Sequence, residues 1–271
     1  MELNRAVVEH DKIILIGGVS FHYFAGFTGG RKLICPGLAS SRTITGTHKL
    51  AFDFNAMSRR EGVETGVING NAVHNALVEA VAKVQPDFVI STIVDGDGGI
   101  VDLYCGDWLS SHQAACDAYS GKNILEIEEK RDLIVVSCGG FPHDINLIQA
   151  HKALESASKA CNDGGTILIF AECGDGLGRD DFLKWFDATN SSDLAEKLCE
   201  KYQVNGQTAW SLLQKAERFK IKIVTSLTEA QIASTRLELV KNISSIASES
   251  TEAGYIIPNG GKVLIRVANP T

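Results

Sequence analysis

Short apolar runs alternate along the chain with longer segments whose apolar residues recur at helical spacing. The runs are rich in β-branched residues and predict strands at residues 12–18, 88–94, 133–138, 166–170 and 221–224. The periodic segments predict helices at residues 71–84, 145–162, 193–202 and 207–218. Strands that are apolar throughout, with helices between them, are typical of parallel sheets covered on both faces. The pattern therefore predicts an α/β fold with at least one doubly wound sheet.

The clearest change in this pattern falls between residues 118 and 130, where a Ser-Gly turn meets a charged run. We therefore predict two α/β domains with largely parallel sheets, at residues 1–125 and 126–271. The second contains a strand–helix unit repeated about three times and ends on a strand at residues 260–267. The first begins almost directly on a buried strand with few neighbours. That arrangement is typical of a domain that lacks a partner segment, or of a genuinely small domain.

Composition and charge restrict the kinds of partner. The 271 residues contain 26 Lys and Arg against 33 Asp and Glu, a net charge of −7, so no basic surface is available for nucleic acid. The longest apolar stretches are strand-sized and too short to cross a bilayer, and no signal-peptide core follows the N-terminus. Seven cysteines form no CxxC pair, which is typical of reduced thiols. We therefore predict a cytoplasmic protein that binds neither nucleic acid nor membrane.

The most unusual cluster of residues follows the first predicted strand and runs from His22 to Lys32, with the sequence HYFAGFTGGRK. Its three glycines predict a backbone that a bulky ligand can approach closely. Taken alone, the Gly-Gly-Arg-Lys turn suits either an anion site or a tight turn with two solvated cations. The spacing of a P-loop is absent.

His48 stands further along, in the sequence Gly-Thr-His-Lys, which we predict to be a loop. A single histidine in a loop is more often structural than a ligand, although imidazole is the commonest metal-binding side chain. No HxH, HExxH or Cys/His spacing supports a zinc site. The residues alone therefore leave open whether His48 is structural or a metal ligand.

A longer comparison of these motifs points to one family. The run HYFAGFTGGRKLICPG, residues 22–37, closely resembles the signature of the nickel-dependent lactate racemase family. The segment around His48 also agrees with that family, as do the later segments GVINGNAVH, GGFPHDINLIQAHK and AECGDGLG, in the same order. The resemblance covers nearly the whole chain.

The resemblance implies a cofactor site at the interface of the two domains. In the family, the lysine matching Lys32 is covalently joined to a nickel-pincer nucleotide derived from nicotinic acid, and the histidine matching His48 is a nickel ligand. The histidine matching His22 is the general acid and base on the substrate hydroxyl. Gln149 and Lys152 match residues of a second-domain helix that closes over the substrate, and their i, i+3 spacing predicts one helical face.

These matches imply a racemase or epimerase of a lactate-like 2-hydroxy acid. The reaction is a proton-coupled hydride transfer to the tethered cofactor, through a 2-keto acid, and it requires two bases that flank one substrate plane. The expected partners are the small 2-hydroxy or 2-keto acid and the enzymes that make the cofactor.

The chain also departs from the family pattern. Members normally have an N-terminal segment with a second catalytic histidine and an Asp-x-Thr-Arg motif, and neither is found here. We therefore expect the chain alone to be incomplete, as a fragment, a separately expressed domain or one subunit of a split enzyme. The remaining histidines that could replace the missing one are unassigned: His10, His74, His112 and His151.

Two further departures leave the substrate open. His143 stands where the family commonly has lysine, and Thr208 lies near the position of a pocket tryptophan in lactate-specific members, with Trp210 two residues on. Two other classes also stay open: a non-catalytic remnant that binds nickel or cofactor, and an NAD-dependent oxidoreductase. The second lacks support because no GxGxxG follows an early strand.

Overall fold

The computed structural model describes residues 1–96, 98–242 and 253–268. It divides the chain into two compact units, Met1–Asn123 (unit 1) and Ile124–Thr271 (unit 2). Both units combine helices with strands, and the parallel strand pairs outnumber the antiparallel ones in the described residues as a whole, although unit 1 has one parallel pair and three antiparallel pairs. This confirms the predicted α/β class. All seven cysteines are free thiols. Within the described residues, no helix combines the length and apolar character needed to span a membrane.

Unit 1 contains seven strands and three α-helices among its described residues. In chain order they are β1 (Ile14–Gly18), β2 (Phe21–His22), β3 (Gly26–Phe27), α1 (Ser41–Lys49), β4 (Phe52–Asp53), β5 (Ser58–Arg59), α2 (Ala72–Ala82), β6 (Phe88–Val94), β7 (Ile100–Gly106) and α3 (Ser110–Asn123). One-turn 3-10 helices lie at Arg5–Val7 and Gly30–Leu33.

The main sheet of unit 1 has the strand order β1-β6-β7, with β1 parallel and β7 antiparallel to β6. Leu15 and Val89 point from one face of this sheet into a core that includes Leu77 and Val81 of α2. Residues on the other face, such as Ile16, are exposed. The prediction that helices cover both faces is therefore wrong for this sheet.

Unit 2 supplies the remaining described elements. They are β8 (Ile124–Ile127), β9 (Arg131–Ser137), α4 (Leu147–Ala150), α5 (Ala153–Ala160), β10 (Cys161–Phe170), α6 (Ser191–Glu200), α7 (Val204–Arg218), β11 (Lys220–Val224), α8 (Glu229–Ile232), β12 (Glu238–Leu239), β13 (Tyr255–Ile257) and β14 (Leu264–Val267). Short 3-10 helices lie at Leu183–Asp187 and Ala233–Thr235.

The central sheet of unit 2 is entirely parallel, in the order β12-β11-β10-β9-β13. Consecutive side chains of a strand point to opposite faces, and the neighbours Leu168 and Ile169 of the central strand β10 are both buried. Both faces of this sheet are therefore covered, as predicted. β8 and β14 form a separate two-stranded parallel sheet.

The predicted helix at residues 145–162 is instead two short helices, α4 and α5, followed directly by strand β10. The Nδ1 atom of His151 lies 2.5 Å from the carbonyl oxygen of Ile148 at the break between the helices. Cys161 already pairs with Arg131 of β9, and the register then shifts before Thr166. Gly164, with φ of +84°, supplies the left-handed residue in this irregular stretch.

Candidate active site

The segment from His22 to Lys32 folds as a small hairpin and a 3-10 turn. β2 and β3 pair antiparallel, with His22 opposite Gly26, and Lys32 lies in the turn Gly30–Leu33. A Cβ atom at Gly26 would lie 2.3 Å from the carbonyl oxygen of Val67, and one at Gly30 would lie 2.5 Å from the ring of His112. These glycines therefore allow the chain itself to pack closely, and the prediction that they leave room for a ligand is wrong at these positions.

Arg31 is buried beneath this hairpin, with 1% of its surface exposed. Its guanidinium donates hydrogen bonds to the carbonyl oxygens of Ala25 (2.7 Å) and Phe27 (2.9 Å), and Nη1 lies 3.1 Å from Nε2 of His112. Burial lowers the pKa of Arg31 to about 10, so the side chain stays charged at neutral pH. The interpretation of the turn as two solvated cations is wrong for Arg31, because its guanidinium is buried and makes its hydrogen bonds inside the unit.

His22 is half-buried, and its orientation is fixed by the backbone. The N–H of Ala25 donates to Nδ1 of His22 across 3.2 Å. A ring nitrogen that accepts a hydrogen bond carries no proton, so the neutral ring has its proton on Nε2. The ring of Tyr23 stacks beside it, with centroids 5.3 Å apart. His22 is therefore oriented to present a donor at Nε2.

His48 lies in the last turn of α1, so the prediction of a loop is wrong here. Its Nδ1 atom is 2.8 Å from the carbonyl oxygen of Ile44, which makes Nδ1 the protonated nitrogen of the neutral ring. Burial lowers the pKa of His48 to about 4, and the charge of Lys32 acts in the same direction against the effect of the carbonyl. At neutral pH, His48 is therefore a neutral imidazole with its lone pair on Nε2.

Phe24 brings the three predicted site residues of unit 1 together. Its buried ring lies 4.5 Å from the ring of His22 and 5.0 Å from the ring of His48, between centroids. The Nζ atom of Lys32 lies 5.9 Å from the Phe24 centroid. The two histidines and the lysine therefore surround one aromatic side chain, an arrangement that the spacing of the sequence motifs does not reveal.

The protein side chains around Phe24 do not by themselves form a metal centre. In the part of the chain that the structure describes, no group of three or more His, Cys, Asp or Glu side chains is placed to hold a metal ion. His48 can offer one nitrogen ligand. A metal at this position would need its other ligands from a bound group.

Gln149 and Lys152, the other predicted site residues, lie in unit 2. The Nζ atom of Lys152 donates a hydrogen bond of 2.5 Å to Oε1 of Gln149, so the predicted shared face is confirmed although the helix is broken between them. Burial lowers the pKa of Lys152. Burial also lowers the pKa of His143, and the charges of Lys262 and Lys152 act in the same direction.

The remaining candidate positions of unit 2 are internal. Thr208 and Trp210 are both buried within α7, and the hydroxyl of Thr208 donates to the carbonyl oxygen of Val204. These side chains pack inside the unit.

The histidines left unassigned by the sequence are poor candidates for a second base. His74, His112 and His151 are buried, and burial lowers their pKa values to about 3, 4 and 3. A buried group that resists protonation is unsuited to proton exchange with a substrate. His10 is exposed near the N-terminus. The contact of Arg31 with His112, 81 residues away, gave no signal in the sequence.

The fold and the site define a two-unit α/β protein that gathers a lysine and two histidines around one phenylalanine. Residues 1–59 match the lactate racemase N-terminal domain family, and residues 127–265 match the lactate racemase C-terminal domain family. The chain belongs to the lactate racemase family. This assignment confirms the resemblance of the sequence motifs.

Two curated relatives agree with this family assignment. The chain is 34% identical over 203 residues to the lactate racemase of Thermoanaerobacterium thermosaccharolyticum, a match that covers 74% of this chain and 46% of that protein. It is 32% identical over 180 residues to the lactate racemase of Lactiplantibacillus plantarum, covering 66% and 41%. The matches therefore span less than half the length of these two relatives.

Solved structures show the same architecture. The lactate racemase apoprotein of T. thermosaccharolyticum superposes with a TM-score of 0.85 at 28% identity, covering 97% of this chain and 65% of that one. A protein of Thermotoga maritima superposes with a TM-score of 0.75 at 20% identity, covering 98% and 69%, and shows a shared fold.

Proposed function

We propose that this chain carries the cofactor-attachment and proton-transfer residues of a racemase for lactate or a similar small 2-hydroxy acid. The observation that carries the proposal is the grouping of His22, Lys32 and His48 around Phe24 in a member of the lactate racemase family. A racemase needs a group that exchanges the hydroxyl proton and a group that handles the α-hydrogen. His22 would exchange the hydroxyl proton, and Lys32 and His48 would hold the group that handles the α-hydrogen.

The residues present fit the nickel-pincer nucleotide that the family resemblance implies. A metal-ligating histidine typically donates its second ring N–H to a carbonyl, as Nδ1 of His48 does to Ile44. Neutral imidazole suits nickel, and the amine of Lys32 is the point of covalent attachment. When bound, this group would accept the α-hydrogen as hydride and return it. Because His48 offers one ligand, the attached nucleotide would supply the others.

His22 would exchange the proton of the substrate hydroxyl at Nε2. In the neutral tautomer that the Ala25 N–H favours, Nε2 carries the proton and donates it in a hydrogen bond. To accept a proton at Nε2, the ring must place its own proton on Nδ1 and release the Ala25 N–H. The reaction direction in which His22 is the base therefore requires a small rearrangement of this hairpin.

Lys152 would bind the substrate carboxylate, and Gln149 would position Lys152. An ammonium and a carboxylate form a strong charge-assisted hydrogen bond. The amide oxygen of Gln149 accepts one N–H of Lys152 and so fixes the direction of the remaining two.

Inversion needs a second base on the opposite face of the substrate. Among the histidines that the sequence left unassigned, His74, His112 and His151 are buried and resist protonation, so they are not suited to that role. We therefore propose that a further lactate racemase segment, joined to this chain or separate from it, supplies the second histidine. Enzymes that make the nickel nucleotide are the other expected partners.

Intact mass of the protein tests the attachment directly. The full chain is co-expressed with the cofactor-making enzymes, and the mass, the nickel content and the modified peptide are measured. We expect one adduct on Lys32 with bound nickel, no adduct in Lys32→Arg, and an unchanged adduct in the matched control Lys49→Arg. His48→Ala should keep the adduct and lose nickel. An unmodified Lys32, or an adduct on another lysine, would overturn the proposal.

A further inference from the structure

A buried ion pair in unit 2 lies one helical turn from Lys152. The Nζ atom of Lys215 in α7 lies 2.6 Å from Oε1 of Glu155 in α5, and the two side chains are only 11% and 12% exposed. The hydroxyl of Ser211 accepts a hydrogen bond from Nζ of Lys215 (2.9 Å) and donates one to the carboxylate of Glu155 (3.3 Å). These contacts connect the first turn of α5 to α7.

A buried ion pair is a poor source of stability. Removing two charges from water costs much of what their attraction returns, and well-packed apolar side chains of similar size are often at least as stabilising. The geometry of this pair is nevertheless well defined, because the carboxylate of Glu155 must meet both Lys215 and Ser211. The pair is therefore better suited to fixing the orientation of α5 on α7 than to stabilising unit 2.

Helix α5 needs directional contacts of this kind because most of the residues that it buries are small. Three of its five buried residues are alanines: Ala153, Ala157 and Ala160. Small side chains make few of the interlocking contacts that select a single packing geometry. Polar contacts at the start of the helix can therefore decide how α5 is rotated about its own axis.

Lys152 is joined directly to the turn that the ion pair holds. It is the residue that precedes α5, and its carbonyl oxygen accepts the N–H of Glu155 across 3.1 Å. Its own N–H donates to the carbonyl oxygen of Gln149 across 3.2 Å. Burial lowers the pKa of His151, and the charges of Lys215 and Lys152 act in the same direction, so both ammonium groups lie near this one ring. An orientation set at Glu155 is therefore transmitted to Lys152 within one turn.

We propose that Glu155 and Lys215 are positioning residues for Lys152. Their ion pair holds the first turn of α5 so that the Lys152 ammonium keeps its hydrogen bond to Gln149 and meets the substrate carboxylate. The inference rests on the proposed function, in which Lys152 binds that carboxylate. Because the pair acts through the helix and not on the reacting atoms, its loss should weaken substrate binding and leave the chemical step nearly unchanged.

Acetylation of Lys152 measures its position without cofactor or substrate. The full chain is treated briefly with acetic anhydride, and peptide mass spectrometry compares Lys152 with Lys184, an exposed lysine of the same unit. The test variant combines Glu155→Leu with Lys215→Met, which removes one charge of each sign and keeps apolar volume in the core, so unit 2 should stay folded. We expect relative acetylation of Lys152 to rise at least about threefold, because a loosened first turn exposes its amine.

The matched control removes an exposed ion pair that also involves α7. Arg218 and Asp163 lie 2.6 Å apart with side chains 53% and 71% exposed, and Asp163→Leu with Arg218→Met should change relative acetylation of Lys152 by less than about twofold. Glu155→Asp, which keeps the charge but shortens the side chain by one carbon, should raise it in the same direction as the double variant. If acetylation of Lys152 is unchanged in the folded double variant, or in Glu155→Asp where the double variant does not fold, the inference is overturned.

Kinetics of the complete racemase provide the second test. The variant with Glu155→Leu and Lys215→Met should raise the KM for lactate at least about fivefold and change kcat less than about twofold, because a weaker contact to an unreacting carboxylate removes uniform binding. A fall in kcat at constant KM would contradict the positioning role. Lys152→Met separates this inference from the proposed function. An unchanged KM in that variant would reject the substrate role of Lys152, whereas acetylation would still decide whether the ion pair positions its amine.

Discussion

At the scale of single residues, Arg31 explains how the hairpin holds His22 in place. The backbone of Ala25 donates its N–H to His22 and accepts a hydrogen bond from Arg31 through its carbonyl oxygen. One peptide residue therefore links a buried cation to the proposed proton-transfer group. The family motif predicted Lys32 and His22, but the role of the arginine between them depends on tertiary contacts that no spacing encodes.

Replacing Arg31 should destabilise unit 1 strongly. Arg31→Met leaves buried carbonyl groups without donors, and each such group costs about 1–3 kcal/mol, so the free energy of unfolding should fall by roughly 3 kcal/mol or more. The matched control Arg42→Met removes an exposed cation that pairs with Glu2, and should change it by less than about 1 kcal/mol. Urea unfolding measures both. Equal effects of the two variants would contradict the role given to Arg31.

At the scale of elements, continuous apolar runs predict several of the strands closely. β6 is found at the predicted residues, and β1, β9 and β11 lie close to theirs, because continuous apolar runs leave few other solutions. Helix α1 was missed because its β-branched and glycine residues disfavour a helix; the side chain of Ser40 caps it by accepting from Thr43 N–H. Strand β7 was not predicted either. Its exposed face carries apolar residues, so the strand lacks the alternation of apolar and polar residues that is typical of a strand with one solvated face.

Alanine substitutions of two glycines, one in the turn at residue 30 and one in helix α1, should have different effects on stability. Gly30 has φ of +48° and a Cβ there would lie 2.5 Å from the His112 ring, so Gly30→Ala should destabilise unit 1 by several kcal/mol, roughly 2–4. Gly46 is exposed in α1 with no atom within 4 Å of an added Cβ, so Gly46→Ala should be neutral or stabilising by up to about 1 kcal/mol. Thermal unfolding compares the two. A harmless Gly30→Ala would contradict the packing described for this turn.

At the scale of the whole molecule, the chain is a two-unit member of the lactate racemase family. Its matches span less than half of the curated relatives, and one face of the β1-β6-β7 sheet exposes apolar side chains such as Ile16 and Leu103. The motifs predicted the family, which the comparisons confirm, while the roles of Lys32, His22 and His48 stay predictions. The exposed face could not be predicted from the sequence. A continuous apolar run indicates a strand but does not indicate whether the same chain covers both faces of its sheet.

Buried neutral histidines should make the protein sensitive to acid. Burial holds the folded-state pKa values of His48 and His112 at about 4 and those of His74 and His151 at about 3, below the usual 6.5. The unfolded chain therefore binds more protons, so stability is fully present above pH 6.5 and is lost as the pH falls toward 3. Each histidine contributes a slope of up to about 1.4 kcal/mol per pH unit.

Urea unfolding between pH 7.5 and 4.5 measures this slope. His112→Gln should reduce the slope of the free energy of unfolding against pH, whereas His10→Gln, at an exposed histidine, should leave this slope unchanged. A stability that does not change between pH 6.5 and 4.5 would contradict the burial of these rings.

The central claim is that His22 exchanges the substrate proton at a racemase site carried by this chain. The direct measurement is interconversion of lactate enantiomers by the full chain with its cofactor and the proposed racemase segment, comparing His22→Gln with His10→Gln. We expect His22→Gln to keep the Lys32 adduct and the nickel but to lose at least about a hundredfold in rate, the usual contribution of general acid–base catalysis. His10→Gln should retain the rate. Undiminished racemisation by His22→Gln, or none by the unsubstituted complex, would contradict the account.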